Sequence, residues 1–308
     1  MLNILFITND REHHLNKAPF YLSQELTKLS NLTVWSTPGD IREIVSQLPK
    51  KPDFILINDV DKSTSPNISG FNTINIPSAL ICEDLHRNVG GRGKFIRNNN
   101  IQYVFPIIRD KFLQTYSSLQ DRMWWFPHHV NTKIFYDYNL EKDIDYLLLG
   151  KIDNVYPLRQ KILKKMQNEP GFICSRHPGY KSFSKTEEQR RLIGENYAKL
   201  INRAKIFFTC DSIHKYPVKK YYEAMACRTL LLAPTSNEIE DLGFIPGKHF
   251  IDINEDDFYE KAKYYLEHET ERQIIVDAGY DFVREHHSTK VRAKQLVEKI
   301  EEILGRKK

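Results

Sequence analysis

The sequence predicts an α/β protein of two Rossmann-like domains facing each other across a cleft, with a helical C-terminal tail. Three observations lead there. The 308 residues exceed what a single hydrophobic core usually serves. Short apolar runs alternate with amphipathic stretches in two consecutive series, the pattern of parallel sheets covered on both faces. A polar, aromatic stretch without clear period, residues 128–139, separates the two series. The expected domains are 1–140 and 141–285, with residues 286–308 as a C-terminal helix packing back on the first domain.

In the first series, residues 2–8, 32–36, 54–58, 79–82, 101–105 and 123–126 read as strands, and 17–29, 41–48 and 109–119 as helices. The second series places strands at 144–149, 172–175, 206–209, 230–233 and 249–253. Helices are expected between them at 158–167, 186–203 and 218–227. From Asp256 on, the pattern is helical, at 258–268, 271–285 and 289–304. The crossovers should share the right hand that chain chirality imposes.

Hydrophobic residues at 41% and charged residues at 28% are ordinary for a globular protein, and no apolar run approaches the ~20 residues of a membrane span. The apolar start, residues 1–8, lacks a basic leader and a cleavage site and reads as a buried strand. A net charge of +5, from 45 basic and 40 acidic residues, favours anionic ligands without demanding nucleic acid. Cys82, Cys174, Cys210 and Cys227 show neither C-x-x-C spacing nor a disulfide framework, which fits a reducing cytoplasm. Peripheral membrane association stays open.

In open α/β sheets, ligands bind outside the carboxyl ends of strands. The richest such loop follows the strand at 206–209. Pro217 suits a first helical position, so Lys219 and Lys220 should fall in the first turn, where the macrodipole disfavours cations and an anion is expected. With Lys215 they suit a diphosphate. Glu223, one turn on, offers two acceptor oxygens to two ribose hydroxyls; the competing reading is a surface ion pair with Lys219 or Lys220.

The stretch KYYEAMACRTLLLA, Lys220 to Ala233, resembles the signature of group 1 glycosyltransferases, especially the spore-maturation-protein type. The resemblance extends through residues 241–249, 256–265, Glu271-Arg272, 286–288 and Arg292-Ala293, and upstream through 126–135, 145–150 and 156–159. It implies a GT-B fold, with Glu223 holding the donor ribose and residues 215–220 the diphosphate. Two positions depart from the pattern. Lys215 stands where a second glutamate is usual, and Arg228 stands where glycine follows Ala-Cys.

Further donor-side candidates are Lys151 after the strand at 144–149, Arg176 and His177 after that at 172–175, and Tyr216. Arg159 ranks lower, being further into a helix. In the first half, Asp84 and His86 follow a strand and resemble a stretch of the same family; they are the candidates to orient or deprotonate an acceptor hydroxyl, a turn or cap at Asp84 being the alternative. Asp10, His13, His14 and Arg87 are acceptor-side candidates. Adjacent histidines lack the spacing of a helical metal pair. The triplets Asp59-Val-Asp61 and Asp143-Ile-Asp145 could suggest a metal-dependent transferase but arise easily by chance. Gly90-Gly-Arg-Gly-Lys94 fails the P-loop pattern and reads as a mobile basic loop.

The function expected is that of a hexosyltransferase-type glycosyltransferase, metal-independent, retaining and without a cofactor. It would use a nucleotide sugar such as a UDP- or GDP-sugar and an acceptor that is a glycan, polymer, lipid, protein or nucleic acid. The alternatives are a nucleotide-sugar epimerase or hydrolase on the same fold, and a non-catalytic polyanion-binding protein.

Overall fold

The computed structural model describes residues 1–306. The chain divides into two compact units, Met1–Pro127 together with the chain from Thr289 on, and His128–Ser288. The first unit contains β1 (Asn3–Ile7), α1 (Ala18–Leu29), β2 (Asn31–Trp35), β3 (Gly39–Asp40), α2 (Ile41–Gln47), β4 (Phe54–Asn58), β5 (Ile68–Ser69), β6 (Ser78–Cys82), α3 (Val89–Asn98), β7 (Tyr103–Pro106) and α4 (Arg109–Thr115). Its five-stranded sheet has the order β2-β1-β4-β6-β7 and is parallel throughout. Every residue of β4 and β6 is buried. Both faces are covered, which is why these strands read as unbroken apolar runs in the sequence.

The second unit contains β8 (Ile144–Leu149), α5 (Pro157–Met166), β9 (Phe172–Ser175), α6 (Lys185–Arg190), α7 (Glu195–Asn202), β10 (Ala204–Phe208), α8 (Lys220–Ala226), β11 (Leu230–Ala233), α9 (Asn237–Asp241), β12 (Ile251–Asp252), α10 (Phe258–Glu267) and α11 (Glu269–His286). Its parallel sheet has the order β12-β11-β10-β8-β9. Alternate strand residues feed two cores. Leu147, Leu149, Phe207 and Leu231 enter one, and Tyr146, Leu148, Ile206 and Leu232 the other, as the two-residue side-chain period requires. The last helix, α12 (Thr289–Ile303), packs on α1 in the first unit through Ala293, Leu296, Val297 and Ile300.

Residues 128–140, which the sequence assigned to the first domain, cluster with the second, because Val130 and Phe135 are buried in its core beside Ile134 and Tyr138. The expected strand at 123–126 is instead an irregular edge following β7 through Trp124 N–H to Val104 O (3.0 Å) and Phe126 N–H to Pro106 O (2.9 Å). The single helix expected over 186–203 is two, broken at Gly194, whose φ of +55° a helix cannot contain. The glycine-rich stretch from Gly90 to Lys94 is not a loop but part of α3, with Arg92 buried.

Candidate functional site

In both sheets the first strand of the unit has neighbours on each side, so the chain leaves it once in each direction. In the second unit this switch point lies between the carboxyl ends of β8 and β10, where doubly wound sheets open a ligand crevice. Arg159 spans it. Pro157 stands at the start of α5, so Arg159 falls in the first turn, and helical side chains lean back toward the N-terminus. The buried guanidinium donates to Lys151 O (3.1 Å) after β8, and to Thr209 Oγ1 (2.9 Å) and Cys210 O (3.2 Å) after β10. It also stacks 4.0 Å over the Tyr156 ring. Its Nε is buried without a hydrogen-bond partner.

Gly150 closes β8 with φ +121°, and a Cβ there would meet Lys220 Cε at 2.8 Å and Arg159 Nη1 at 2.9 Å. The positive φ favours glycine, and its lack of a side chain leaves room for the ends of the two cations. Lys151, exposed at the next position, has its ammonium 5.6 Å from the ring centre of Tyr180, and the Lys220 ammonium lies 5.9 Å from that of Tyr197. Among the described residues, none of Lys151, Arg159 and Lys220 forms an ion pair with a carboxylate. Glu223, a turn along α8, accepts from the Tyr197 hydroxyl at Oε2 (3.2 Å), and its charge acts on the Lys220 ammonium. Glu223 is half-buried, so it does not stand on a fully solvated helix face.

The electrostatics follow from this crowding. Burial, and then the charges of Lys220, Lys151 and Arg159, push His177 down to about 4, so it is neutral at physiological pH. Burial pushes the Lys220 ammonium down to about 8; Glu223 opposes this, while Arg159 and Lys219 add to it. A bound dianion would favour the ammonium and raise that value, so binding takes up a proton above pH 8. Affinity for a dianion that does not itself titrate in this range should be flat from pH 6 to 7.5. Above pH 8 it should fall by up to about tenfold per unit. Calorimetric titration across pH checks this, and Lys220→Arg should remove the fall.

The helix carrying Glu223 begins later than the sequence suggests. Pro217, Val218 and Lys219 precede α8, which starts at Lys220, and the lead-in is tightened by bonds from Tyr221 N–H to Val218 O and from Tyr222 N–H to Lys219 O. Lys219 occupies the cap position. Lys215 has φ +59° and is exposed, with its ammonium 3.3 Å from Asp211, so it is already engaged outside the Gly150 cluster. Tyr216 is buried near the His214 ring (5.4 Å). Arg176 is exposed after β9, and His177 Nδ1 accepts from Gly179 N–H (3.0 Å). Arg228, standing where the family pattern has glycine, takes φ +54° beyond the end of α8, a position glycine fills without strain. Its ion pairs with Asp277 (2.7 Å) and Asp137 (3.1 Å) offset the cost of a side chain there.

In the first unit, Asp84 and His86 are both exposed. Asp84 O accepts from Arg87 N–H (3.0 Å) and its carboxylate lies 3.8 Å from Arg87, so this stretch is the turn that the sequence offered as the alternative. Asp10 caps its own loop by accepting from Glu12 N–H (2.9 Å). His14 lies 2.7 Å from Arg11 Nη1, and His13 is half-buried beside it. Arg11, which sequence reasoning passed over, is buried and donates to Ser63 O. The loops after β1 and β6 are joined by Asn16 Nδ2 donating to Glu83 Oε2 (3.3 Å). Both aspartate triplets have protein partners: Asp59 binds Arg92, Asp143 binds Arg203 and Asp145 binds Lys205. No helix among the described residues is long and apolar enough to cross a membrane.

Residues 159–298 match the family described as glycosyl transferase-like, a span that opens on Arg159 and contains Glu223. No curated protein matches the chain in sequence. Among solved structures, sucrose-phosphate synthase from Thermosynechococcus elongatus aligns with a TM-score of 0.66 at 12% identity, covering 99% of this chain and 100% of that one. Anabaena HepE, in complex with UDP and glucose, aligns with a TM-score of 0.66 at 8% identity over 98% and 100%. An α-glucosyltransferase in complex with UDP and a 13-mer DNA aligns with a TM-score of 0.61 at 11% identity over 97% and 99%. The chain thus has the two Rossmann-like units of the GT-B fold, and residues 159–298, most of them in the second unit, are similar to the glycosyl transferase-like family.

Proposed function

We propose that the protein transfers a sugar from a nucleotide-diphosphate donor to an acceptor hydroxyl, and that the donor binds the second unit at Gly150, Lys151, Arg159, Lys220 and Glu223. The observation that carries this reading is the gathering of Arg159 and Lys220 around Gly150 at a sheet switch point, with Lys151 next in the chain and no carboxylate at ion-pair distance from any of the three among the described residues. Arg159 is buried and Lys220 half-buried, and the charges of Asp211 and Glu223 act on them without closing an ion pair, so a diphosphate would supply the close counter-charge that such cations favour. The positive field comes from side chains rather than from α8, which has only seven residues. The same field would stabilise the leaving nucleoside diphosphate as the glycosidic bond to it breaks, which is how preorganised charge accelerates a reaction without a metal ion. HepE and the α-glucosyltransferase, both similar in fold, were solved with UDP, and this favours a uridine nucleotide as the first donor to test.

Glu223 would accept from the ribose hydroxyls. His177, held neutral, would hydrogen-bond a phosphate or sugar oxygen without adding charge. In a hexosyl transfer with retention, no strong base on the protein is required, so the exposed Asp84 and His86 would position an acceptor at most. Asp10, His13, His14 and Arg87 are the proposed acceptor-side contacts in the first unit, with Lys215, Lys219, Tyr216 and Arg176 around the donor loops. The sequence features fit an enzyme of the cytoplasm that needs no cofactor.

A panel of UDP- and GDP-sugars, with release of nucleotide and labelling of added acceptors followed separately, tests the assignment. Transfer of label supports it. Free nucleotide with no acceptor dependence points instead to a hydrolase, and a changed sugar to an epimerase. Glu223→Ala should weaken nucleotide-sugar binding about 10- to 100-fold, the worth of a hydrogen bond to a charged group. Undiminished binding to a folded Glu223→Ala protein would remove the ribose assignment.

A further inference from the structure

The hydroxyl of Tyr197 is the side-chain partner that the structure gives to Glu223, at 3.2 Å from Oε2, leaving Oε1 without one among the described residues. A carboxylate can only accept, so the phenol donates. Burial, reinforced by the charge of Glu223, holds the phenol well above its ordinary range, which keeps that proton in place. The ring is itself fixed. Its edge meets Phe135 at 6.1 Å and 78°, its backbone lies in α7, and the Lys220 ammonium stands over its face. Tyr197 therefore touches both the carboxylate and the cation of the candidate site, although it belongs to a different helix from either.

We propose that Tyr197 is a positioning residue that fixes the plane of the Glu223 carboxylate, so that Oε1 and the second lone pair of Oε2 are presented together to a vicinal diol. A glutamate on a helix rotates about several side-chain bonds, and each rotation would break the match to two hydroxyls of fixed spacing. One donor locked into the core removes that freedom before the ligand arrives. The discrimination of a ribonucleotide from its dideoxy analogue is then set by Tyr197 as much as by Glu223. This inference rests on the reading of Glu223 as the ribose-binding residue.

The test compares UDP and GDP with their 2′,3′-dideoxy forms by calorimetry, on the full chain and on Tyr197→Phe, which keeps the ring against Phe135. The wild-type protein should prefer the ribonucleotide about 100-fold, as two hydrogen bonds to a carboxylate imply. In Tyr197→Phe that preference should drop to about tenfold while affinity for the dideoxy form stays unchanged. Phenylalanine should also have no further effect once Glu223→Gln is present, because a coupled pair is not additive. Full discrimination retained by Tyr197→Phe would overturn the positioning role and leave the ribose assignment intact. A wild-type protein indifferent to the ribose hydroxyls would overturn both. An equal loss for both nucleotide forms would show that Tyr197 only packs.

Discussion

Replacing Arg159 by alanine is expected to weaken binding of a nucleoside diphosphate or nucleotide sugar by about 100-fold or more, with a parallel loss of turnover. Two effects combine. The guanidinium is one of the two cations gathered around Gly150, and a hydrogen bond between charged partners is worth about 1.5–3 kcal/mol. It also ties Lys151 O to Thr209 and Cys210, so its removal releases the loops on both sides of the switch point. Arg159→Lys should recover little, because an ammonium is a point charge and cannot reach three acceptors in a plane. Affinity for the corresponding nucleoside, which carries no phosphate, should be unchanged. Calorimetry with the nucleoside, the monophosphate and the diphosphate checks this. A folded Arg159→Ala protein that binds the diphosphate like the wild type would place the phosphates elsewhere.

Arg159 also shows where sequence reasoning reached and where it stopped. Its position in a helix made it look remote from a loop site. The signal that corrects this is Pro157: a helix begun there has Arg159 in its opening turn, with the side chain directed back over the strand ends. Glu223 stood out because its neighbours repeat a family pattern, yet its hydrogen-bond partner, Tyr197, did not, since a contact between helices has no local signature. The two sheets were legible because buried parallel strands are continuous apolar runs, whereas residues 128–140 cluster with the other unit because Val130 and the short run at Ile134-Phe135 are buried in its core without forming a periodic pattern in the sequence. The break at Gly194 was hidden by helix-forming residues on either side. Three glycines in five residues made Gly90 to Lys94 look like a loop. Helix propensity argues that way, but a tertiary interaction outweighs it. At Gly91 a Cβ would collide with the Asn88 side chain, so one of those glycines is what allows α3 to start where it does.

That tertiary interaction is the pair of Arg92 and Asp59, and cutting it is expected to cost about 3–5 kcal/mol, a large part of the ~5–15 kcal/mol by which domains are stable. Both side chains are almost completely buried, and they meet through two bonds of 3.0 Å. Burial alone would push the guanidinium down, and Asp59 more than reverses this, so Arg92 is held above its ordinary range. The same guanidinium donates to Arg87 O (3.0 Å) and Asp84 O (3.4 Å), while Asp59 accepts from Glu83 N–H (3.1 Å). The turn bearing Asp84 and His86 therefore hangs on this pair. Arg92→Ala leaves a buried carboxylate without its counter-charge, and Asp59→Asn leaves a buried guanidinium in the same state, so both should lower the denaturation midpoint strongly. A double replacement, Asp59→Asn with Arg92→Met, strands no charge, suits the left-handed backbone at residue 59 (φ +62°), and should recover much of the stability. The loop carbonyls stay unsatisfied in that double variant, so residues 83–88 should exchange amide hydrogens faster even where global stability is regained. Chemical denaturation and hydrogen exchange on the three variants separate the two contributions. If the single variants unfold like the wild type, Arg92 carries little of the unit's stability, and the helical state of the glycine-rich stretch must be held by something else.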